Sequence, residues 1–308
     1  MPVAEQTLNR FSKHTAAFFH STNIGVVECK EGLYVIDSGA GDYDGENLAV
    51  TLEKIFPQKK VLALINTHAH ADHAGGNRAF LSRTKAELWT SRKEAFLMEY
   101  PEMMSDMYWG ARAFEEIDGG KFRAEQSLKA DRIICEEEIR IDDEVTLSFV
   151  PLPGHFFEQY GVIVKEEEGN FFFTADSLFG IELLRKTWLP FLMEPVQFRK
   201  TLDKIAETDA KLFIPSHGKP IAKEKIHASC EVNAIVTLEA ETLILKILSS
   251  ACSQEKLLKA ILDFANLDVK LDRYIWIGTT IRSYLSSMER RGLIEHFMEK
   301  NCLYWRAK

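Results

Sequence analysis

Val61-Leu62-Ala63-Leu64-Ile65-Asn66-Thr67-His68-Ala69-His70-Ala71-Asp72-His73-Ala74-Gly75-Gly76 runs from an apolar block into three histidines and an aspartate within six positions. The apolar block reads as a buried strand. Side chains two apart on an extended chain point the same way, so His68 and His70 leave the strand end together. Asp72 and His73 need a different orientation, and Gly75-Gly76 marks a turn before a helix that starts near Asn77. Imidazole nitrogen and carboxylate oxygen are ligands that divalent ions such as zinc accept. The alternative is a metal-free surface loop, but the chain has only 9 histidines, and three within six positions is an improbable accident.

Partners follow from the same logic, as ligand types placed where apolar runs end. His155 ends Phe149-Val150-Pro151-Leu152-Pro153-Gly154-His155, Asp176 follows Phe171-Phe172-Phe173-Thr174-Ala175, and His217 follows Lys211-Leu212-Phe213-Ile214-Pro215-Ser216. The aromatic run before Asp176 is strongly β-prone. Each alone has a plain explanation, a turn aspartate, a helix cap or a loop histidine. Together with the first cluster they point to one site.

The order His-x-His-x-Asp-His, Pro-Gly-His, strand-Asp, Ser-His-Gly resembles the metallo-β-lactamase superfamily of dinuclear hydrolases, over roughly the first 225 residues. The resemblance implies an αββα sandwich with ligands on loops at one sheet edge. It implies one metal on His68, His70 and His155, a second on Asp72, His73 and His217, and Asp176 between them. The cofactor expected is a pair of divalent transition metals, zinc first, with manganese or iron as alternatives because similar ligands suit all three. The stretch Gly32-Leu33-Tyr34-Val35-Ile36-Asp37-Ser38-Gly39 is similar to the family's early Asp-x-Gly strand, which makes Asp37 a residue that orients the ligands; an ordinary turn aspartate is the alternative. The chain departs from the family in placing Phe156-Phe157 after His155, where many relatives carry a threonine. The oxygen-reducing branch usually has glutamate where this chain has His70, which favours hydrolysis.

The expected reaction is hydrolysis of a small acyl substrate, a thioester, lactone or lactam, by a metal-bridging hydroxide. Two nearby cations bring a water's pKa from about 15.7 toward neutrality. Asp72 is the candidate catalytic group, orienting the nucleophile or carrying its proton. Two other classes stay open: a nuclease or phosphodiesterase, and a binding or regulatory protein that kept the fold. A net charge of −8 disfavours a polyanionic substrate. Retention of every ligand position disfavours a non-catalytic role.

From Phe96 to Trp109 the chain is rich in methionine and aromatic residues, a composition suited to an adaptable apolar surface. Met104, Tyr108 and Trp109, with Phe156, are therefore candidates for the substrate pocket, as a lid or lining. The alternative is a helical hairpin packed on the core or on a second subunit.

The catalytic domain is expected to span 1–225 and a mainly helical, winged-helix-like domain 226–308. Lys223 onward reads as a long helix, Ser253–Phe264 and Ile277–Arg291 as two more, and Gly292–Met298 with Leu303–Arg306 as a small hairpin. From Leu238 to Lys308 the chain has 11 Lys plus Arg and 9 Asp plus Glu, a net of +2 without a dense cationic stripe. Nucleic acid is thus not the expected partner, and shaping of the site mouth or of a homodimer interface is. No apolar run approaches the roughly 18 residues that span a bilayer. Residues 1–7 lack a secretory layout, and five scattered cysteines suit free thiols, so a cytoplasmic enzyme is expected.

Overall fold

The computed structural model describes residues 7–124 and 126–308; residues 1–6, within the segment read for a secretory signal, lie outside them. The first sheet contains β1 (Asn9–Arg10), β2 (Thr15–Phe18), β3 (Ile24–Glu28), β4 (Gly32–Ile36), β5 (Lys60–Ile65), β6 (Glu87–Thr90) and β7 (Arg132–Ile133), in that spatial order. Its first four strands pair antiparallel, whereas β4, β5, β6 and β7 pair parallel. Parallel neighbours require crossovers. These contain α1 (Asp42–Ile55), the single turn α2 (Ala71–Ala74), α3 (Asn77–Thr84), α4 (Arg92–Glu99) and α5 (Glu102–Trp109).

The second sheet contains β8 (Glu138–Arg140), β9 (Thr146–Pro151), β10 (Tyr160–Glu166), β11 (Gly169–Phe179), β12 (Leu212–His217) and β13 (Ile221–Ala222). Its one parallel pair, β11 with β12, is joined through α6 (Ile181–Thr187) and α7 (Pro195–Glu207).

Alternation along the strands builds four layers. Val26, Val35 and Leu64 face Leu48, Leu52 and Phe80 of the first helical layer. Their neighbours Val27, Ile36, Ala63 and Ile65 face the other sheet, where they meet Phe149, Val162, Phe171 and Phe173. On the far side, Ile163, Phe172 and Phe213 pack on Phe198, Leu202 and Ile205 of α7. The result is the expected αββα sandwich.

The chain continues as α8 (Lys223–Ile247), α9 (Gln254–Phe264), α10 (Leu271–Arg290) and a hairpin of β14 (Ile294–Glu299) with β15 (Cys302–Ala307). Helix α8 runs unbroken through position 226. Ile226 and Cys230 pack against the second sheet's helical layer, and Leu243, Ile244 and Leu248 join Leu257, Ile261, Ile281 and Tyr284 in a separate core. Helix α10 begins at Leu271 rather than at Ile277 as the apolar spacing predicts, which matters for the site. No described helix is long and apolar enough to cross a membrane. All five cysteines are unpaired.

Candidate metal centre

Every predicted ligand lies at one edge of the paired sheets. His68, His70, Asp72 and His73 occupy the loop and short turn α2 after β5, His155 follows β9, and His217 ends β12. Asp176 lies inside β11, beside a break in register with β12 at Ala175, whose φ is +49°. Such a bulge redirects a side chain out of the strand's alternation. Gly154 has φ +130°, and a Cβ there would stand 2.4 Å from the backbone of Phe198, so glycine is required immediately before His155.

The donor atoms form two groups, His68–His70–His155–Asp176 and Asp72–His73–His217, with the atoms of each group within 4.8 Å of one another. His70 Nδ1 is 2.9 Å from His68 Nε2 and 3.0 Å from His155 Nε2. Asp176 Oδ2 is 3.4 Å from both His155 Nε2 and His217 Nε2, and Oδ1 is 3.4 Å from His73 Nε2, so this carboxylate lies between the groups. Asp72 Oδ2 is 3.2 Å from His217 Nε2 and 3.8 Å from His73 Nε2. Its side chain is 39% exposed while the Asp176 side chain is 6% exposed, which makes Asp72 the carboxylate open to a substrate.

The outward nitrogens settle how each ring is held. His155 Nδ1 donates to the Phe191 carbonyl at 2.8 Å and His217 Nδ1 to the Ser21 carbonyl at 2.6 Å, since carbonyls only accept. His73 Nδ1 donates to Asp37 Oδ2 at 2.9 Å. The Thr67 hydroxyl gives its proton to Asp37 Oδ2 at 2.9 Å and so accepts from His68 Nδ1 at 3.1 Å. His70 Nε2 meets the Tyr108 hydroxyl at 2.9 Å. His68, His73, His155 and His217 thereby turn Nε2 inward and His70 turns Nδ1 inward, so one nitrogen of every ring faces the other donors. His73 Nε2 and Asp176 Oδ1 are buried without a hydrogen-bond partner. This donor set fits divalent metal ions.

Electrostatics separates the two groups in the metal-free protein. Burial and the neighbouring imidazoles hold His68 and His70 well below the usual histidine range, and burial also lowers His155. Burial opposes charge on His73 too, but the carboxylates of Asp176, Asp72 and Asp37 outweigh it and push this ring up to about 10. His217 is raised likewise, by Asp176 and Asp72 against burial. Against burial, the facing histidines hold Asp176 and Asp72 below the usual carboxylate range.

Asp37, besides accepting from His73, accepts the Thr67 N–H at 2.9 Å, with its own backbone at φ +62°. The four candidates for the pocket are placed differently. Phe156 is buried against the rings of His68 and His70, Met104 is in the core under the first sheet, and Tyr108 is buried as the partner of His70. Trp109 is 47% exposed and packs edge-on to Phe114. Their segment forms α4 and α5, whose apolar residues Leu97, Met98, Met104 and Tyr108 turn inward to join the core beneath the first sheet.

The space over the ligands is walled by other residues. A cavity of about 260 Å³ is bounded by Phe179, Leu183, Leu189, Phe191, Trp276 and Ile277, with Arg273 also lining it. A second hollow of about 590 Å³, lined by Ser21, Arg78, Arg123 and Gln126, shares Asp72, Lys121 and Trp276 with the first. Trp276 and Arg273 stand in the first turns of α10, ahead of the start that the apolar spacing predicts. Their one cue in the sequence is a spacing of three to four residues through Arg273, Trp276, Ile277 and Thr280.

A search of curated proteins returns no match. Among solved structures, a metallo-beta-lactamase family protein of Thermus thermophilus superposes with a TM-score of 0.71 at 16% identity, over 97% of this chain and 98% of that one. A beta-lactamase domain protein of Burkholderia ambifaria gives 0.70 at 14% identity, over 100% and 95%. A subclass B3 metallo-beta-lactamase of Bradyrhizobium japonicum gives 0.58 at 16% identity, over 78% and 94%. The model of the metallo-beta-lactamase superfamily matches residues 17–217, from β2 to the last histidine of the site, and the chain belongs to that superfamily.

Proposed function

We propose that the protein is a dinuclear metal-dependent hydrolase of a small acyl substrate, of thioester, lactone or lactam type. The observation that carries this reading is the division of seven donors into two adjacent groups beneath a largely apolar cavity. His68, His70 and His155 would hold one cation, Asp72, His73 and His217 the other, and Asp176 both; zinc is the first choice. When bound, such cations supply Lewis acidity and bring the proton loss of a water toward neutral pH.

The chain's own residues do the rest. Asp72 has Oδ2 engaged by His217 and by the Thr22 hydroxyl at 3.3 Å. We assign to its carboxylate the proton released by the attacking water, and the return of that proton to the departing sulfur, oxygen or nitrogen. Phe179, Phe191, Trp276 and Ile277 exclude water and receive the acyl group. The three C-terminal helices and hairpin, which we read as winged-helix-like, contribute through α10 a wall of the site. An apolar wall and a net charge of −8 support an acyl substrate over a nucleic acid.

Elemental analysis of the purified protein, with a panel of thioesters, lactones, β-lactams and phosphodiesters, tests the reading. Two metal equivalents and turnover of an acyl ester class are expected. Full activity in a metal-free preparation, or turnover of phosphodiesters alone, would overturn it.

A further inference from the structure

We propose that Glu94 is a positioning residue for the His68–His70–His155 half of the centre, its carboxylate binding together the two loops that supply these three imidazoles. This deepens the dinuclear reading above and rests on it. Glu94 stands in α4 and is fully buried. Its Oε2 accepts the Ala69 N–H at 2.9 Å, and its Oε1 accepts the Glu158 N–H at 2.8 Å. Ala69 is the residue between His68 and His70. Glu158 lies three residues after His155.

The two loops arise from different sheets, so no strand ladder sets their separation. A backbone bond from Tyr160 N–H to the Thr67 carbonyl, 3.1 Å, joins them on one side. Glu94 joins them on the other. The anchor is doubled at the start of α4, where Ser91 Oγ donates to the Glu158 carbonyl and Lys93 N–H to the Glu158 carboxylate, both at 2.8 Å. Buried carboxylates are uncommon because desolvation is costly, and here the two accepted bonds are charge-assisted when the group is ionised. Both bonds go to main-chain N–H groups, so the influence of Glu94 on the ligands passes through the loop backbones.

Carboxylate chemistry is what the position requires. Two N–H groups face two acceptor oxygens, whereas glutamine offers one oxygen and an NH2 that meets the second N–H head-on. Aspartate keeps both acceptors on a shorter stem. Loss of a partner behind a metal ligand typically costs 10–100-fold in metal affinity.

The test titrates metal-free wild-type, Glu94→Gln and Glu94→Asp proteins with Co2+, reading visible absorption and competition with a chromophoric chelator. In Glu94→Gln, one of the two equivalents should bind roughly 10–100-fold more weakly, with an altered absorption band, while the other stays within about threefold of wild type. Glu94→Asp should recover part of the loss, and far-UV circular dichroism should remain that of the folded protein. Unchanged affinity of both equivalents in Glu94→Gln would overturn the proposal. So would equal weakening of both, with Glu94→Asp no better, because that marks a general packing role. If Glu94→Gln fails to fold, the same criteria apply to Glu94→Asp against wild type. A wild-type protein that takes one equivalent counts against the two-cation reading; an unchanged affinity at that one site in Glu94→Gln would still count against Glu94.

Discussion

Asparagine at position 37 should impair the metal centre without disturbing the backbone around it. Asp37 has φ +62°, a conformation that asparagine adopts readily, so Asp37→Asn leaves the turn after β4 unstrained. The hydrogen bonding cannot be preserved. The carboxylate accepts from Thr67 N–H, Thr67 Oγ1 and His73 Nδ1, each at 2.9 Å, and an amide has one oxygen to divide among them. With that oxygen on Thr67 N–H, the NH2 faces His73 Nδ1. The ring must then accept at Nδ1 and carry its proton on Nε2, which points toward Asp176 and Asp72. A protonated Nε2 cannot ligate a cation. With the amide reversed, NH2 meets a buried N–H, and an unsatisfied donor of that kind costs about 1–3 kcal/mol. Either outcome predicts metal affinity down roughly 10–100-fold, or about 1.4–2.8 kcal/mol, with the thermal midpoint of the metal-loaded protein lowered accordingly. Asp37→Ala should lose more, by about 1–2 kcal/mol, because alanine resists the left-handed backbone. Chelator competition and calorimetry on both variants measure this. Wild-type metal affinity in Asp37→Asn would refute the tautomer argument.

Gly154→Ala combines a disfavoured φ of +130° with a Cβ placed 2.4 Å from the Phe198 backbone, and should cost at least about 3 kcal/mol in urea unfolding along with metal affinity; a loss under about 1 kcal/mol would show that α7 yields easily. Burial pushes the Glu94 carboxyl up to about 7 from an ordinary 4.5, against two backbone hydrogen bonds that favour the ion. The folded state thus holds this proton more tightly than the unfolded chain, so the contribution is complete below about pH 4.5 and is lost as pH rises through 7. It amounts to about 3 kcal/mol at most. Urea midpoints of metal-free wild type should fall relative to Glu94→Gln across that window, and parallel curves would exclude it. Trp276→Ala joins the two hollows beside Asp72 and should raise kcat/KM for bulky acyl groups over acetyl by roughly tenfold. An unchanged ratio would remove Trp276 from the specificity wall.

The candidate ligands were legible because their signal is local. Strand β5 announces itself as an apolar run, and the loop after it carries four candidate ligands, His68, His70, Asp72 and His73, within six positions. His155 and His217 are found by the same rule, each at the end of a β-prone stretch. Asp176 has a different origin, since β11 continues to Phe179 and the bulge at Ala175 turns the carboxylate into the site. Strands β2 and β6 gave no comparable signal. They are four residues each, and β6 mixes a charged residue with the buried Leu88 and Trp89.

The walls of the site were not legible, and the reason is geometric. A methionine-rich stretch reads as a pocket only if its apolar face is left over after the core is covered. In α4 and α5, Leu97, Met98, Met104 and Tyr108 are consumed by the core, and what remains for the cavity comes from Phe191 and from α10. The same division runs through the histidines themselves. A sequence shows which residues are imidazoles, but the nitrogen that faces inward is set by what lies behind the other one: the Phe191 carbonyl, the Ser21 carbonyl, Asp37, Thr67 and Tyr108. Four of these five stand more than thirty positions along the chain from the ring they hold. Only Thr67 is adjacent to its histidine, and even its role as acceptor depends on Asp37, thirty residues away. The inner half of this candidate centre is therefore written in motifs, whereas the outer half, which fixes the nitrogen that each ring turns inward, is assembled by segments mostly distant in the chain.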